Sequence, residues 1–359
     1  MKIITMDIRH DWKQEEVSAM YDLPLLDLVY KAASVHREFH DSKQIQISSL
    51  VSIKTGGCSE DCSYCPQAAR YSTGVDAHKL LEVDTVIDQA KKAKDGGASR
   101  MCLGAAWREV RDNRDFDNVL EMVRGINEMD MEVCCTLGML SNEQAQRLKD
   151  AGLYAYNHNI DTSEEKYSDI ISTRTFDDRL DTHKSVRKAG ITLCSGGIIG
   201  LGEEKKDRIS MLMTLANYEK HPESVPINTL VPVEGTPLEN NEKVPSWDLI
   251  KMVAIARIMM PKSAVRLSAG RLELTDEAQA LCFMAGANSI FAGETLLTTN
   301  NPEFQSDRML FKNLGLSAKV PFEDGAQPEI NERYKENSAK AKMEAKVKSW
   351  KEEMAKSQV

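Results

Sequence analysis

The chain has 359 residues, enough for one large α/β domain or two smaller ones. Hydrophobic residues make up 42% and charged residues 28%, an ordinary balance for a globular protein, and no run has the length of a membrane-spanning helix. The net charge of −9 argues against a general nucleic-acid surface. The N-terminal residues MKIITMDIRHDWKQEE lack the apolar stretch of a secretory signal, so we expect a cytoplasmic protein.

The first part of the chain predicts helices and then an alternation of strands and helices. Residues 14–40 have helical apolar spacing, interrupted at Pro24, and predict an N-terminal helical segment over residues 1–44. From residue 45 onward, short β-rich runs alternate with amphipathic runs, such as 84–96, 142–151 and 178–189. The predicted strands cover 46–53, 100–105, 132–137, 154–160, 192–199, 225–231, 264–269 and 288–292.

Eight strand–helix units in about 250 residues favour a parallel (β/α)8 TIM-type barrel over an open doubly wound sheet. We assign this barrel to residues 45–300. In such a barrel the active site lies at the carboxyl ends of the strands.

The alternation stops near residue 300. The stretches NNPEFQSD (300–307) and KVPFEDGAQPE (319–329) have a linker-like composition. Residues 301–328 are interpreted as an extension of the barrel, and residues 329–359 as a charged helical tail. The tail carries one apolar helix face, formed by Met343, Val347, Trp350 and Met354. This face could contact the protein's own body, a second subunit or, since it is short, least favourably a membrane surface.

Three cysteines lie in one Gly-rich loop directly after the first predicted strand. Cys58, Cys62 and Cys65 have C-x3-C-x2-C spacing, and Tyr64 precedes the last of them. Thiolates are soft ligands that suit iron–sulfur clusters, and three of them can hold three irons of a cubane cluster, leaving one iron open to a small molecule. The alternative, a zinc knuckle, would need a fourth Cys or His, for which His78 is the nearest candidate.

A second group of residues falls on later strands. Its members are Cys102, Cys134, Cys194 and Arg266, on the second, third, fifth and seventh predicted strands. An arginine inside a barrel costs several kcal/mol unless it is paired, and thiolates that bind a metal could supply the negative charge. Each cysteine taken singly could also be an inert core residue. Because neighbouring residues of a strand point to opposite faces, only one of Cys134 and Cys135 can face the interior.

Further polar side chains predict a ligand cavity. They are Asn157, Asn159 and Asp161 on one face of the fourth predicted strand and Asn228 on the sixth. Polar side chains that converge inside a barrel indicate a binding site rather than a packed core. After the fifth strand, Gly196, Ile198, Gly200 and Glu203 form a G-x-I-x-G-x-x-E pattern. It lacks the Lys-Ser/Thr of a phosphate loop and suits backbone and apolar contacts to a flat adenine ring.

With these motifs the chain resembles the biotin synthase family of radical S-adenosylmethionine enzymes. The matching stretches are SIKTGGCSEDCSYCPQAARYSTGV, SRMCLGAAW, EVCCTLGML, YNHNIDTS, STRT, CSGGIIGLGE, ESVPINTLV, GTPL, ARIMMP, VRLSAGR and CFMAGANSIF. They follow the family's order from about residue 45 to about residue 315, and the tail from about 329 lies outside the resemblance.

The resemblance implies a sulfurtransferase that converts dethiobiotin to biotin, with the chemistry carried by its cofactors rather than by an acid or base residue. The implied cluster ligands are Cys58, Cys62 and Cys65 for a 4Fe–4S cluster, and Cys102, Cys134, Cys194 and Arg266 for a 2Fe–2S cluster. The implied contacts to S-adenosylmethionine are Tyr64, Asn159, Asp161, Arg179 and Ile198. The implied contacts to dethiobiotin are Asn157, Asn159 and Asn228. An electron donor such as flavodoxin or ferredoxin and a homodimer are implied in the same way.

Two questions stay open at the level of the sequence. Arg266 would bind iron directly only as a neutral guanidine, and deprotonation at pH 7 costs about 8 kcal/mol, so a guanidinium that balances an anionic cluster is the alternative. The function could also be that of another radical enzyme on the same barrel, such as a hydrogenase-maturation relative or a mutase, or that of an iron–sulfur carrier. The second cysteine set and the inward asparagines argue against these alternatives.

Overall fold

The computed structural model describes residues 7–293 and 295–331. Its strands are β1 (Gln44–Lys54), β2 (Arg100–Ala105), β3 (Glu132–Thr136), β4 (Ala155–Asn157), β5 (Thr192–Cys194), β6 (Gly197–Ile199), β7 (Ser224–Thr229), β8 (Ala264–Leu267), β9 (Ser289–Phe291), β10 (Thr295–Leu296), β11 (Thr299–Asn300) and β12 (Ser317–Ala318). Its helices are α1 (Gln14–Tyr21), α2 (Leu25–Phe39), α3 (Val83–Asp95), α4 (Arg114–Asn127), α5 (Asn142–Asp150), α6 (Glu164–Ile170), α7 (Phe176–Lys188), α8 (Lys205–Ala216), α9 (Ser246–Met259), α10 (Asp276–Met284) and α11 (Phe304–Leu314).

The strands close into a parallel barrel. Neighbours follow the order β1, β2, β3, β4, β5, β7, β8 and β9, and β9 pairs back onto β1. Helices connect the strands and bury their apolar faces against the outside of the barrel, which covers the outer face of the parallel sheet. The predicted (β/α)8 TIM-type barrel is confirmed, and so is the break between α1 and α2 at Pro24. Within the described residues, no helix combines the length and apolar character needed to cross a bilayer.

The fifth predicted strand, 192–199, is divided in the structure. β5 ends at Cys194, and β6 begins at Gly197 and pairs with β7. A Cβ atom at Gly196 would collide with the carbonyl oxygen of Pro226 on β7, and the Gly196 carbonyl accepts a hydrogen bond from the Ile160 amide at 3.1 Å. The backbone at Gly196 therefore bends between β7 and the loop after β4. Only glycine fits there, because the space admits no side chain.

The linker-like interpretation of residues after 300 is wrong for part of that stretch. Residues 304–314 form α11, which buries Leu310 and Phe311 and ends at Gly315 in the left-handed conformation. β12 then pairs in parallel with the start of β1. The apolar face predicted for the tail falls on residues 332–359, outside the described residues, and the division of the chain at residues 44, 300 and 328 remains a prediction.

The segment after β12 covers the amino end of the barrel. The Phe322 amide donates a hydrogen bond to Oε1 of Glu132, the first residue of β3, at 2.9 Å. The Phe322 ring meets Tyr154 edge to face at 5.5 Å between ring centres and packs against the cluster that contains Cys102 and Cys134. Phe322 has a φ of 61°, a strained value for an aromatic residue, so its neighbours must hold it there.

Replacing Phe322 by alanine should therefore expose the interior cysteines. A loss of about 1–2 kcal/mol of packing would raise the open population roughly 5- to 30-fold, so Cys102 and Cys134 of the metal-free chain should react correspondingly faster with a thiol reagent. The measurement is alkylation of each cysteine with time, read by peptide mass spectrometry. Val320→Ala is the matched control, because Val320 is exposed in the same segment. Equal alkylation rates in Phe322→Ala and wild type would contradict the inference that Phe322 shields the inner cysteines.

His36 is buried on α2, which packs against α9. It is 1% exposed, and neither of its ring nitrogens has a hydrogen-bond partner. Burial, together with the nearby charges of Arg257, His40 and Arg37, lowers the pKa of His36 to about 2. The ring therefore stays neutral in the folded protein across the physiological range.

His36→Leu should make folding less sensitive to pH. The unfolded chain binds a proton at His36 near pH 6.5 and the folded protein does not, so this group destabilises the fold by about 2 kcal/mol on going from pH 7 to pH 5. The leucine variant should lack that contribution and lose little stability at pH 7, since no hydrogen bond is removed. Denaturant unfolding at both pH values measures the effect. The exposed His78, changed to Gln, is the control, and an unchanged pH slope in His36→Leu would refute the assignment.

Candidate active site

A cavity of about 310 Å³ opens among the carboxyl ends of the barrel strands. The predicted site residues that line it are Cys58, Cys62, Tyr64, Cys65, Cys102, Cys134, Asn157, Asn159, Asp161, Arg179, Ile198, Asn228 and Arg266. Cys194 is buried just behind this wall, with its Sγ 3.7 Å from Nη1 of Arg266. The structure therefore brings the whole predicted set to one place.

The three-cysteine loop is held in shape by its own backbone. The Cys58 amide donates to the Gln67 carbonyl at 2.9 Å, and the Cys65 amide donates to the Cys62 carbonyl at 2.9 Å. Burial raises the pKa of Cys62 to about 12 and that of Cys65 to about 11, and it also raises the pKa of Cys58. These thiols are protonated near neutral pH unless a bound metal displaces their protons.

Asp61 anchors the loop to the segment before α7. Its carboxylate accepts hydrogen bonds from the amides of Ser172 and Thr173 at 2.9 and 3.1 Å and from Arg70 at 3.0 Å. Burial opposes its charge, but these bonds and those from the two hydroxyl groups prevail and lower the pKa of Asp61 to about 2. A carboxylate that stays charged fixes the cysteine loop against the far side of the cavity.

Glu60 and Arg174 also line this end of the cavity, and sequence reasoning missed both. Nη2 of Arg174 lies 3.9 Å from Sγ of Cys62, and its Nη1 lies 3.7 Å from Oε1 of Glu60. That oxygen of Glu60 is buried and has no hydrogen-bond partner. The sequence contained a signal for each residue. Glu60 lies between two of the cysteines, and Arg174 lies in the STRT motif.

Asp161 and Arg179 form a buried ion pair close to Arg174, since both arginines donate to the Tyr167 hydroxyl. Arg179 also donates from Nε to the hydroxyl of Tyr167 at 2.8 Å. Burial works against its charge, yet Asp161 and other neighbours raise the pKa of Arg179. Asp161 has a φ of 67°, a strained conformation of the kind found at binding sites, and its carbonyl accepts from the Ile198 amide at 2.8 Å.

The inner cysteines face one another across adjacent strands. Cys102 on β2 pairs in register with Cys134 on β3, while the neighbouring Cys135 points away into the hydrophobic core. This confirms the prediction that only one of the two adjacent cysteines faces the interior. A hydrogen bond from the Cys134 thiol lowers the pKa of Cys102 against the effect of burial, and the same bond raises the pKa of Cys134.

Arg266 is 1% exposed and has no carboxylate within ion-pair distance among the residues that the structure describes. Its Nε donates to Oγ of Ser289 at 2.8 Å and its Nη2 to Oε1 of Gln46 at 3.0 Å. Nη1 faces Sγ of Cys194 at 3.7 Å. A buried guanidinium with only neutral partners leaves an uncompensated positive charge beside three thiols.

Arg100 and Glu132 form a second buried pair one layer below the inner cysteines. Oε2 of Glu132 lies 2.7 Å from both Nε and Nη2 of Arg100 and accepts from Nε2 of Gln46 at 3.1 Å. Burial opposes the charge of Arg100, but Glu132 and the inner cysteines raise its pKa. Arg100 and Cys102 are two residues apart on β2 and therefore lie on the same face of the strand.

The three asparagines line the same cavity as members of both cysteine sets. Nδ2 of Asn228 donates to the Gly197 carbonyl at 3.0 Å, and its Oδ1 accepts from the Ala269 amide at 3.1 Å. Nδ2 of Asn157 donates to Thr136, and Oδ1 of Asn159 accepts from the Gly196 amide. Each amide group is oriented by the fold and retains further donor and acceptor capacity.

The hairpin of β10 and β11 covers part of the cavity, which the sequence did not predict. Leu296, Leu297 and the threonines at its turn line the pocket. Leu297 reaches the barrel because Gly104 on β2 has no side chain, and a Cβ atom there would lie 2.7 Å from Cδ2 of Leu297. The missing side chain at Gly104 therefore lets the hairpin pack directly against β2.

The donor set fits iron–sulfur clusters better than a zinc site. In the described residues no three His, Cys, Asp or Glu side chains converge to hold a single metal ion, and His78 is exposed and away from the cavity. The ligands of a cluster each bind a different iron, so they need not converge on one point. A partly buried set of three thiols in the loop and a buried set of three on the strands, the latter beside Arg266, meet that requirement.

Two family models match the chain. Residues 52–216 match the radical SAM superfamily, and residues 226–317 match the Biotin and Thiamin Synthesis associated domain. Biotin synthase from Cytophaga hutchinsonii is 60% identical over 324 residues, which cover 90% of this chain and 96% of that protein. The chain belongs to the biotin synthase family. Mitochondrial biotin synthase from Arabidopsis thaliana is 56% identical over 328 residues, which cover 90% of this chain and 87% of the relative.

Solved structures with low sequence identity show the fold alone. Methylornithine synthase superposes with a TM-score of 0.73 at 19% identity and covers 86% of this chain and 94% of its own. The FeFe-hydrogenase maturase HydG from Carboxydothermus hydrogenoformans gives a TM-score of 0.74 at 18% identity and covers 86% of this chain and 76% of its own. The barrel of this member of the biotin synthase family is thus shared with a methylornithine synthase and a hydrogenase maturase.

Proposed function

We propose that this chain converts dethiobiotin to biotin by radical sulfur insertion, with a 4Fe–4S cluster, S-adenosylmethionine and a 2Fe–2S cluster as cofactors. The observation that carries the proposal is that one cavity meets both cysteine sets, with oriented amide side chains between them. When bound, these cofactors supply the one-electron chemistry and the sulfur that no side chain can supply. The chain's own residues bind, orient and shield the reactants.

At the outer end, Cys58, Cys62 and Cys65 would hold the 4Fe–4S cluster. Its site lies where the barrel fold exposes loops, at the end of β1. Asp61 keeps that loop fixed, so the cluster position would be set before any ligand arrives.

The S-adenosylmethionine site would extend from this loop across the cavity. Asn159 and Asp161 would contact the ribose, and Tyr64 and Ile198 would flank the adenine, because they combine fixed polar groups with apolar surface. Arg179 would face the methionine carboxylate. Because Arg179 is already paired with Asp161, the nearby Arg174 would share this task.

Asn157, Asn159 and Asn228 would recognise the ureido group of dethiobiotin. A ureido group presents two N–H donors and one carbonyl acceptor, and a carboxamide can pair with both kinds. In Asn228 one N–H and one lone pair are used by backbone groups, so one donor and one acceptor function remain for a ligand. Substrate bound there would lie between the two cysteine sets.

Cys102, Cys134, Cys194 and Arg266 would hold the 2Fe–2S cluster. A 2Fe–2S cluster on three thiolates is anionic, and the charge of Arg266 would compensate it whether the arginine acts as a ligand or as a neighbouring cation. The apolar hairpin residues Leu296 and Leu297 would exclude water from the substrate above it.

The remaining partners are proposed from the family alone. An external one-electron donor, such as flavodoxin or ferredoxin, would reduce the outer cluster. The active protein would be a homodimer in the cytoplasm.

The decisive experiment is an anaerobic assay of the reconstituted protein with S-adenosylmethionine, dethiobiotin and a reductant. We expect both biotin and 5′-deoxyadenosine by mass spectrometry. 5′-Deoxyadenosine without biotin, with both clusters present, would refute the proposed substrate and favour another radical enzyme. Neither product, with the outer cluster present, would favour the iron–sulfur carrier.

Two adjacent cysteines give a matched test of the inner cluster. Cys134→Ala should abolish the 2Fe–2S absorption and biotin formation and leave the 4Fe–4S signal unchanged. Cys135→Ala removes the neighbouring buried thiol on the opposite face of β3 and should retain both clusters. Iron and sulfide analysis with visible absorption and Mössbauer spectra measures the difference. Equal cluster content in the two variants would contradict the assignment of Cys134.

A further inference from the structure

Arg100 has a property that its pairing with Glu132 does not explain. It is 5% exposed, and its Nη1 is buried without a hydrogen-bond partner, whereas Nε and Nη2 both face Glu132. A buried guanidinium N–H that is left unpaired destabilises the fold. A purely structural ion pair would gain nothing from this arrangement.

The position of Arg100 explains what its free N–H could meet. Arg100 precedes Cys102 by two residues on β2, and Glu132 precedes Cys134 by two residues on β3, so the pair lies directly beneath the two thiols. The charges of Cys134, Cys102 and Cys194 all act on Arg100. Below the guanidinium lies the Tyr154 ring, 5.3 Å from its central carbon, which offers no acceptor atom at that face other than its π electrons.

We propose that Arg100 donates a hydrogen bond from Nη1 to a sulfur atom of the 2Fe–2S cluster, and so sets the electron affinity of that cluster. Glu132 and Gln46 are the positioning residues that hold the guanidinium in place. The inference rests on the inner cluster site proposed above and adds a contact that the three cysteines and Arg266 do not provide.

The charge balance of the layer supports a tuning role rather than simple neutralisation. Arg266 already supplies the positive charge beside the thiols, while Arg100 and Glu132 together are neutral. The carboxylate of Glu132 is fully engaged by Arg100, Gln46 and the Phe322 amide, so it holds the pair in one geometry. What Arg100 adds is therefore a directed N–H rather than net charge, and hydrogen bonds to the sulfurs raise the reduction potential of a cluster.

Two variants separate the N–H from the charge. Arg100→Lys keeps a cation beside Glu132 but loses the planar guanidinium and its free N–H, so the inner cluster should become harder to reduce. Glu132→Gln keeps the N–H and leaves the charge of Arg100 uncompensated, so the inner cluster should become easier to reduce. We expect each shift to change the ratio of reduced to oxidised cluster about tenfold at fixed potential, which is about 59 mV for one electron.

The measurement is anaerobic spectroelectrochemical titration of the loaded protein, in which the 2Fe–2S and 4Fe–4S signals are followed separately. Arg187→Lys is the matched control, because Arg187 forms an Arg–Glu pair with Glu223 away from the cavity. It should leave both potentials at the wild-type values, and the 4Fe–4S potential should be unchanged in all three variants.

Opposite shifts of the inner cluster alone would support the proposal. Unchanged potentials in both variants, or shifts of the same sign, would overturn it. Loss of the inner cluster in both variants, with the 4Fe–4S cluster retained, would also overturn it and make the pair a structural support. A wild-type protein that holds no inner cluster would instead refute the proposed 2Fe–2S site itself, which iron and sulfide analysis detects before any titration.

Discussion

The interior of this barrel depends on how two buried arginines are compensated. Arg100 has a carboxylate partner in Glu132, whereas Arg266 contacts an amide, a hydroxyl, a thiol and the Phe291 ring and has no carboxylate partner among the described residues. A buried charge without a counterion destabilises a fold by several kcal/mol, so an anionic group beside Arg266 would stabilise the fold. An iron–sulfur cluster on thiolates is such a group, and the amide of Gln46, which contacts Arg266 and Glu132, links the two arginines into one layer.

That layer orders the rest of the site through the geometry of parallel strands. Side chains two residues apart on a strand lie on the same face. A charged residue at the start of a strand therefore lies below a thiol two residues later, and the end of that strand borders the cavity. β2 and β3 follow this rule with Arg100 below Cys102 and Glu132 below Cys134. The same spacing then leaves room above the thiols for amides such as Asn157 and Asn228. The inner thiols of β2 and β3 and the Arg100–Glu132 pair thus occupy successive levels of one barrel.

The sequence predicted what depends on local pattern. Eight alternating units predicted the barrel, and strand alternation separated Cys134 from Cys135 before any coordinates were considered. It did not predict that Arg174 lies beside Cys62, that Leu297 packs against Gly104 or that residues 304–314 form a helix. Each of these depends on a contact between distant parts of the chain, which composition and periodicity do not encode. The polar residues before and at the start of α11 look like a linker, and the apolar face of α11 is too narrow to give a clear helical pattern.

The two ends of the barrel are closed by different means, and the difference fits the proposed chemistry. At the carboxyl end, the hairpin of β10 and β11 covers part of the cavity with Leu296 and Leu297. At the amino end, the Phe322 amide donates a hydrogen bond to the Glu132 carboxylate. The segment after β12 is therefore bonded to the residue that positions Arg100. Displacing Phe322 would therefore expose the inner thiols and loosen Arg100 at once. The φ of 61° at Phe322 is strained for an aromatic residue, so the contacts with Glu132 and Tyr154 must hold this closing segment in place.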